Sequence, residues 1–144
     1  MYELLGIAIG QVIGALLLSA LNAALLQWRA RVRRSWIISF RNAYRLCLKA
    51  ALIALLISDI AIFTSVAFGG TNADLLRNVA LLFGLVSWWF AHSNGLLKLA
   101  GPSIPLATKE ARALSANVFA YFLGAIFVLS LAVAVVFSLL SSSK

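Results

Sequence analysis

The stretch WRARVRRSWIISFRNAYRLCLK, residues 28–49, decides the fold. It carries seven cations, Arg29, Arg31, Arg33, Arg34, Arg41, Arg45 and Lys49, and lies between two long apolar runs. A second stretch, KLAGPSIPLATKEAR at 98–112, adds Lys98, Lys109 and Arg112. Ten of the twelve basic residues therefore sit in two short connections, with only Arg77 and Lys144 elsewhere. Chains that cross a bilayer keep their Lys/Arg-rich short loops on the cytoplasmic side. The pattern predicts a multi-pass protein of a bacterial-type inner (plasma) membrane, with both basic loops cytoplasmic and both chain ends outside.

Working outward, the chain has 144 residues, 63% of them hydrophobic and only 11% charged, with a mean hydropathy of +1.02. Soluble domains are about 45–50% apolar and about one-quarter charged. A span needs roughly 20 apolar residues. Four runs meet or approach that length, at about 4–27, 50–68, 78–97 and 113–140. The expected fold is an all-α integral membrane protein, a single domain of residues 1–144 forming a four-transmembrane-helix bundle. The first run lacks the basic start and short apolar core of a signal peptide, so it reads as a retained helix. Gly69, Gly70, Thr71 and Asn72 mark a tight outer turn, and Gly101, Pro102 and Pro105 a break after the third helix.

The net charge of +8 suggests nucleic acid in a soluble chain, but here the cations are the membrane-orientation signal, and no nucleic-acid-binding motif accompanies them. The expected partner of that charge is a lipid bilayer with anionic headgroups. Within the first basic loop, Trp36, Phe40 and Tyr44 fall at helical spacing, with Arg34, Arg41 and Arg45 on another face. That arrangement predicts an amphipathic segment lying at the headgroup level. A faint echo recurs 68 positions later: Ser35, Ala43 and Leu46 match Ser103, Ala111 and Leu114, with Arg41/Lys109 and Cys47/Ser115 similar.

Helices in lipid associate through small residues and polar contacts, because lipid tails are as apolar as leucine. The first helix carries Gly6, Gly10 and Gly14 on one stripe. The second has Ala54 and Ser58, the third Ala80 and Gly84, and the fourth Ala116, Ala120 and Gly124. The glycine triplet is the candidate interface with a second copy or a partner membrane protein.

Among the polar residues within the apolar runs, Asn22, Asp59, His92 and Asn117 stand out as candidates. An intramembrane carboxylate marks a functional site by default, so Asp59 is the first candidate for an ion path. It stands amid Leu52, Leu55 and Phe63, away from the small stripe. His92, Asn22 and Asn117 fall at one expected depth and predict a hydrogen-bonded layer, with Asp59 about 6 Å deeper at 1.5 Å per residue. The remaining acids, Glu3, Asp74 and Glu110, lie at ends and loops, so no paired-carboxylate site is expected. One histidine and one cysteine give no metal cluster, and no cofactor is implied. The sequence reads as a non-enzymatic structural or accessory subunit of a larger membrane assembly. The alternative is a small proton- or ion-coupled transporter or channel using Asp59.

Overall fold

The structure, a computed structural model, describes residues 2–67, 73–101 and 106–142. They form four helices: α1 (Tyr2–Arg34), α2 (Phe40–Ala67), α3 (Ala73–Ala100) and α4 (Thr108–Ser142), with no strand among the described residues. Each contains a segment long and apolar enough to cross a membrane: Ile9–Arg34, Phe40–Thr64, Asn78–Ala100 and Thr108–Ala132. The helices form a ring. α2 packs against α3 and α1, while α4 closes the ring against α3 and α1, and the diagonal pairs stay apart. The turn expected at Gly69–Asn72, and Pro102 and Pro105, lie outside the described residues.

The helices extend past the apolar runs, chiefly at the basic end. α2 begins at Phe40, ten residues before the apolar run at 50, so no separate surface helix precedes it. The physical reason is a stop at Ser35. Its φ of 52° is left-handed, its N–H donates to Arg31 C=O (3.0 Å), and the N–H of Trp36 donates to Ala30 C=O (3.2 Å). A left-handed residue that satisfies the last carbonyls is a common helix terminus. The chain then turns inward, so Trp36 and Ile38 are buried in the core. Ser39 opens α2 as its N-cap, its Oγ accepting from the N–H of Asn42 (3.4 Å). The expected amphipathic face is thus divided. Trp36 is core, and Arg34 ends α1. Phe40 is exposed and stacks on half-buried Tyr44 (6.0 Å), with Arg41 and Arg45 exposed beside them.

Gly101, at φ 59°, ends α3 in the same left-handed way, its N–H donating to Leu97 C=O (3.3 Å). Glu110 starts α4 by accepting the N–H of Ala107 (3.0 Å), the reciprocal half of a capping box. Its carboxylate also pairs with Arg34. That ion pair joins the two basic connections, which therefore share one end of the bundle.

Burial is concentrated at that end. The core comprises Ala23, Leu26 and Ala30 of α1, Ala43, Leu46 and Cys47 of α2, Leu96 and Ala100 of α3, and Ala111, Leu114 and Val118 of α4, closed over by Trp36 and Ile38. Of the echoed positions, Ala43, Leu46 and Cys47 bury on α2, as Ala111, Leu114 and Ser115 do on α4, while Ser35, Arg41 and Lys109 are exposed. Toward the far end, among the residues whose side chains are described, none of α1 before Ala15, of α2 after Ala50 or of α4 after Val118 is buried. Only α3 keeps a buried stripe there, Ala80, Gly84 and Trp88. A Cβ on Gly84 would stand 1.9 Å from Ser58 Oγ and 3.2 Å from the Ala54 carbonyl oxygen. The small residues of α2 and α3 therefore meet, as close backbone packing requires.

Candidate functional site

Polar side chains in the apolar part of this bundle form three groups, the second and third sharing Gln11. The first surrounds His92, which is fully buried where α2, α3 and α4 converge. Its Nδ1 shares a 2.8 Å hydrogen bond with Ser115 Oγ, and its Nε2 lies 3.7 Å from Cys47 Sγ. Trp88, one turn away on α3, stacks on the imidazole at 4.7 Å and 15°, with Phe119 of α4 behind it at 5.2 Å. A singly protonated imidazole has one donor and one acceptor nitrogen, so it can satisfy both contacts at once. The group contains no carboxylate, and the described residues hold no cluster of three metal-ligating side chains. Chemically it is a cross-link among three helices.

The second group lines a cavity of about 530 Å³ at mid-bundle, to which all four helices contribute. Its walls are mostly apolar, Leu18, Leu55, Leu85, Trp88 and Phe122 among them, and Gln11, Ser19, Asn22 and Ser58 supply the polar atoms. Ser19 Oγ and Asn22 Oδ1 are buried without a hydrogen-bond partner. Such atoms cost free energy unless something else meets them.

The third group is Asp59 with Gln11. Gln11 Nε2 donates to Asp59 Oδ1 at 3.2 Å, joining α2 to α1. Asp59 is exposed, while its partner Gln11 also lines the cavity. Beside this pair on α1 runs the glycine stripe. Among the described residues, added Cβ atoms at Gly6, Gly10 and Gly14 would meet nothing within 4 Å. Gly14 reaches the cavity, while Gly6 and Gly10 are exposed.

The expected layer of Asn22, His92 and Asn117 does not assemble. Asn117 Nδ2 donates back to Ala113 C=O in its own helix (2.8 Å), the usual local satisfaction of a helical amide. Asn22 turns to the cavity, and His92 bonds Ser115 and Cys47. Asp59 and His92 are also farther apart than the apolar runs suggested. His92 is level with Cys47, and Asp59 lies twelve residues beyond Cys47, about 18 Å along the axis. The runs had placed the start of α2 too late, which compressed this distance.

Two contributors were not singled out by sequence. Gln11 carries no signal apart from being an amide in an apolar run. Arg29, counted only among the cations, is buried, with its guanidinium 4.7 Å from the ring of Tyr121 and 5.3 Å from that of Trp28. Trp28 and Tyr121 meet edge-to-face at 5.4 Å. This aromatic–cation set fastens α1 to α4, and a desolvated cation–π contact is worth about 2 kcal/mol. Comparison with protein-family models, curated proteins and solved structures finds no match.

Proposed function

We propose that this chain is a non-enzymatic, multi-pass subunit of a larger membrane assembly. It sits in a bacterial-type inner membrane with its basic end in the cytoplasm and both termini opposite. Its partner, a second copy or another membrane protein, docks on the far half of α1 along Gly6, Gly10 and Gly14. One observation carries this reading: the glycine stripe is unfilled within the chain and runs beside an exposed Asp59–Gln11 pair. Small-residue stripes let helix backbones approach closely, and a carboxylate at membrane depth is seldom left facing lipid. A partner helix covers both features in one contact.

The test is co-purification in native nanodiscs, comparing wild type with Gly10→Ile and Asp59→Leu. A Cβ at position 10 meets nothing within 4 Å among the described residues, so the expected outcome is an intact bundle that no longer retains its stoichiometric partner. Asp59→Leu is expected to weaken retention less, by about tenfold, since a polar intramembrane contact contributes about 1–2 kcal/mol. Unchanged retention in both variants contradicts the proposal.

The mid-bundle cavity favours a second reading, a small ion- or proton-coupled carrier. Against it, neither Asp59 nor His92 lines that cavity. Loss of ion-dependent flux in Asp59→Asn, with assembly intact, would move this reading to the front.

A further inference from the structure

On the outer side of the α2–α3 pair, at the basic end, the two helices leave a groove of about 510 Å³. Arg45 and Lys49 line it from α2 and Lys98 from α3, with the amides of Asn42 and Asn94 between them. No acidic residue lines it, and the ion pair seen among the described residues, Arg34–Glu110, lies elsewhere. Arg45 and Lys49 are four residues apart on one helix face, where like charges repel each other. A converging set of three cations without a counter-charge calls for an anion.

The groove also has a direction. Moving along α2 from the basic end, Asn42, Arg45 and Lys49 give way to Ile53, about 6 Å beyond Lys49. On α3, which runs the opposite way, Lys98 and Asn94 give way to Ala91. The floor stays low because Ala50, Ala91 and Gly95 are small; a Cβ on Gly95 would already press on the Leu46 side chain at 3.1 Å. A charged mouth, with Leu46 and Leu99 beside the cations, that opens onto apolar Ile53 and Ala91 matches a headgroup followed by a chain. A soluble anion would use only the mouth. Basic clefts between spans on the cytoplasmic side suit anionic lipid headgroups.

We infer that this groove is a binding site for an anionic phospholipid, whose phosphate is held by Arg45, Lys49 and Lys98 and whose acyl chain runs along Ile53 and Ala91. Three cations match a two-phosphate lipid better than a one-phosphate lipid, which sets the expected order of affinity. The site is separate from the α1 face proposed for assembly, and it rests only on the membrane placement argued above.

The test uses the full chain in detergent and in vesicles. Native mass spectrometry with diphosphatidylglycerol, phosphatidylglycerol and phosphatidylcholine should show retention falling in that order. The triple variant Arg45→Gln/Lys49→Gln/Lys98→Gln should weaken binding of the two-phosphate lipid by roughly 100-fold, each groove cation losing a direct charge-assisted phosphate contact worth about a factor of five beyond the general surface attraction. The charge-matched control Arg31→Gln/Arg33→Gln/Lys109→Gln, at exposed positions outside the groove, should stay within about a factor of five of wild type. Ala91→Phe, which keeps every charge but fills the apolar end of the groove, should lose the lipid while circular dichroism shows unchanged helix content.

Equal losses in the triple variant and its control overturn the inference, because the effect is then general surface charge. Inorganic phosphate stabilising the protein as well as the lipid does, or Ala91→Phe folding normally and still binding, overturns the lipid as occupant. Release from phosphatidylcholine vesicles by carbonate would overturn the membrane placement, and the inference with it. Retention there without lipid selectivity overturns the inference alone.

Discussion

Gly84→Leu is expected to abolish the folded bundle. Even the first carbon of the new side chain would meet the Ala54 carbonyl oxygen at 3.2 Å and Ser58 Oγ at 1.9 Å. A hydroxyl can rotate away, but a helix backbone cannot, so α2 and α3 must separate. Overpacking of a close interface costs about 1–3 kcal/mol for modest intrusions, and leucine adds three further carbons. Between helices in lipid the loss is not recovered by burying apolar surface elsewhere, because packing itself is the driving force. The measurement is thermal unfolding in mild detergent, where Gly84→Leu should yield no cooperative transition. Gly84→Ala should lower the midpoint, and adding Ser58→Ala should restore part of it. A wild-type transition in Gly84→Leu would show that α2 and α3 do not meet at this point.

His92→Ala has the second-largest expected effect. The substitution removes an imidazole stacked on Trp88 and leaves Ser115 Oγ and Cys47 Sγ without their partner in a fully buried site. Truncation of a large buried side chain together with an orphaned buried hydroxyl should cost about 3 kcal/mol. The double substitution His92→Phe/Ser115→Ala tests the cause. It refills the volume and removes the orphan, so it should recover most of the loss. Cys47 supplies an independent readout: buried in wild type, its thiol should become reactive to maleimide at least tenfold faster in His92→Ala. Unchanged stability and labelling would mean that the three helices are not cross-linked here.

The sequence made the architecture legible because two signals repeat. Apolar runs of span length alternate with turns, and the cations fall at one end of the helices, where Arg34 and Glu110 pair. Small residues at four-residue spacing on α2 and α3 also pointed to the contact that Gly84 makes with Ala54 and Ser58. Gly101 signalled its own stop.

Ser35 did not, because a left-handed helix terminus is usually read from glycine or asparagine, and serine carries no such mark. Missing that stop placed Trp36 on a surface helix instead of in the core and shortened α2 by ten residues. The error then carried into the site, drawing Asp59 toward His92. Helical periodicity gives the angle of a side chain about its own axis but not the neighbour it faces. For that reason Gln11, Cys47 and Ser115 emerged as partners only in three dimensions, and Arg29 as a buried cation between two aromatic rings.

The proposed function depends most on the far half of α1 being an assembly surface. Native mass spectrometry of the wild-type protein, released directly from nanodiscs formed in its own membrane, tests this most directly. The expected result is a particle heavier than one 15.5 kDa chain, with a fixed stoichiometry that Gly10→Ile reduces to the single chain. A wild-type particle of one chain, with only lipid attached, would contradict it.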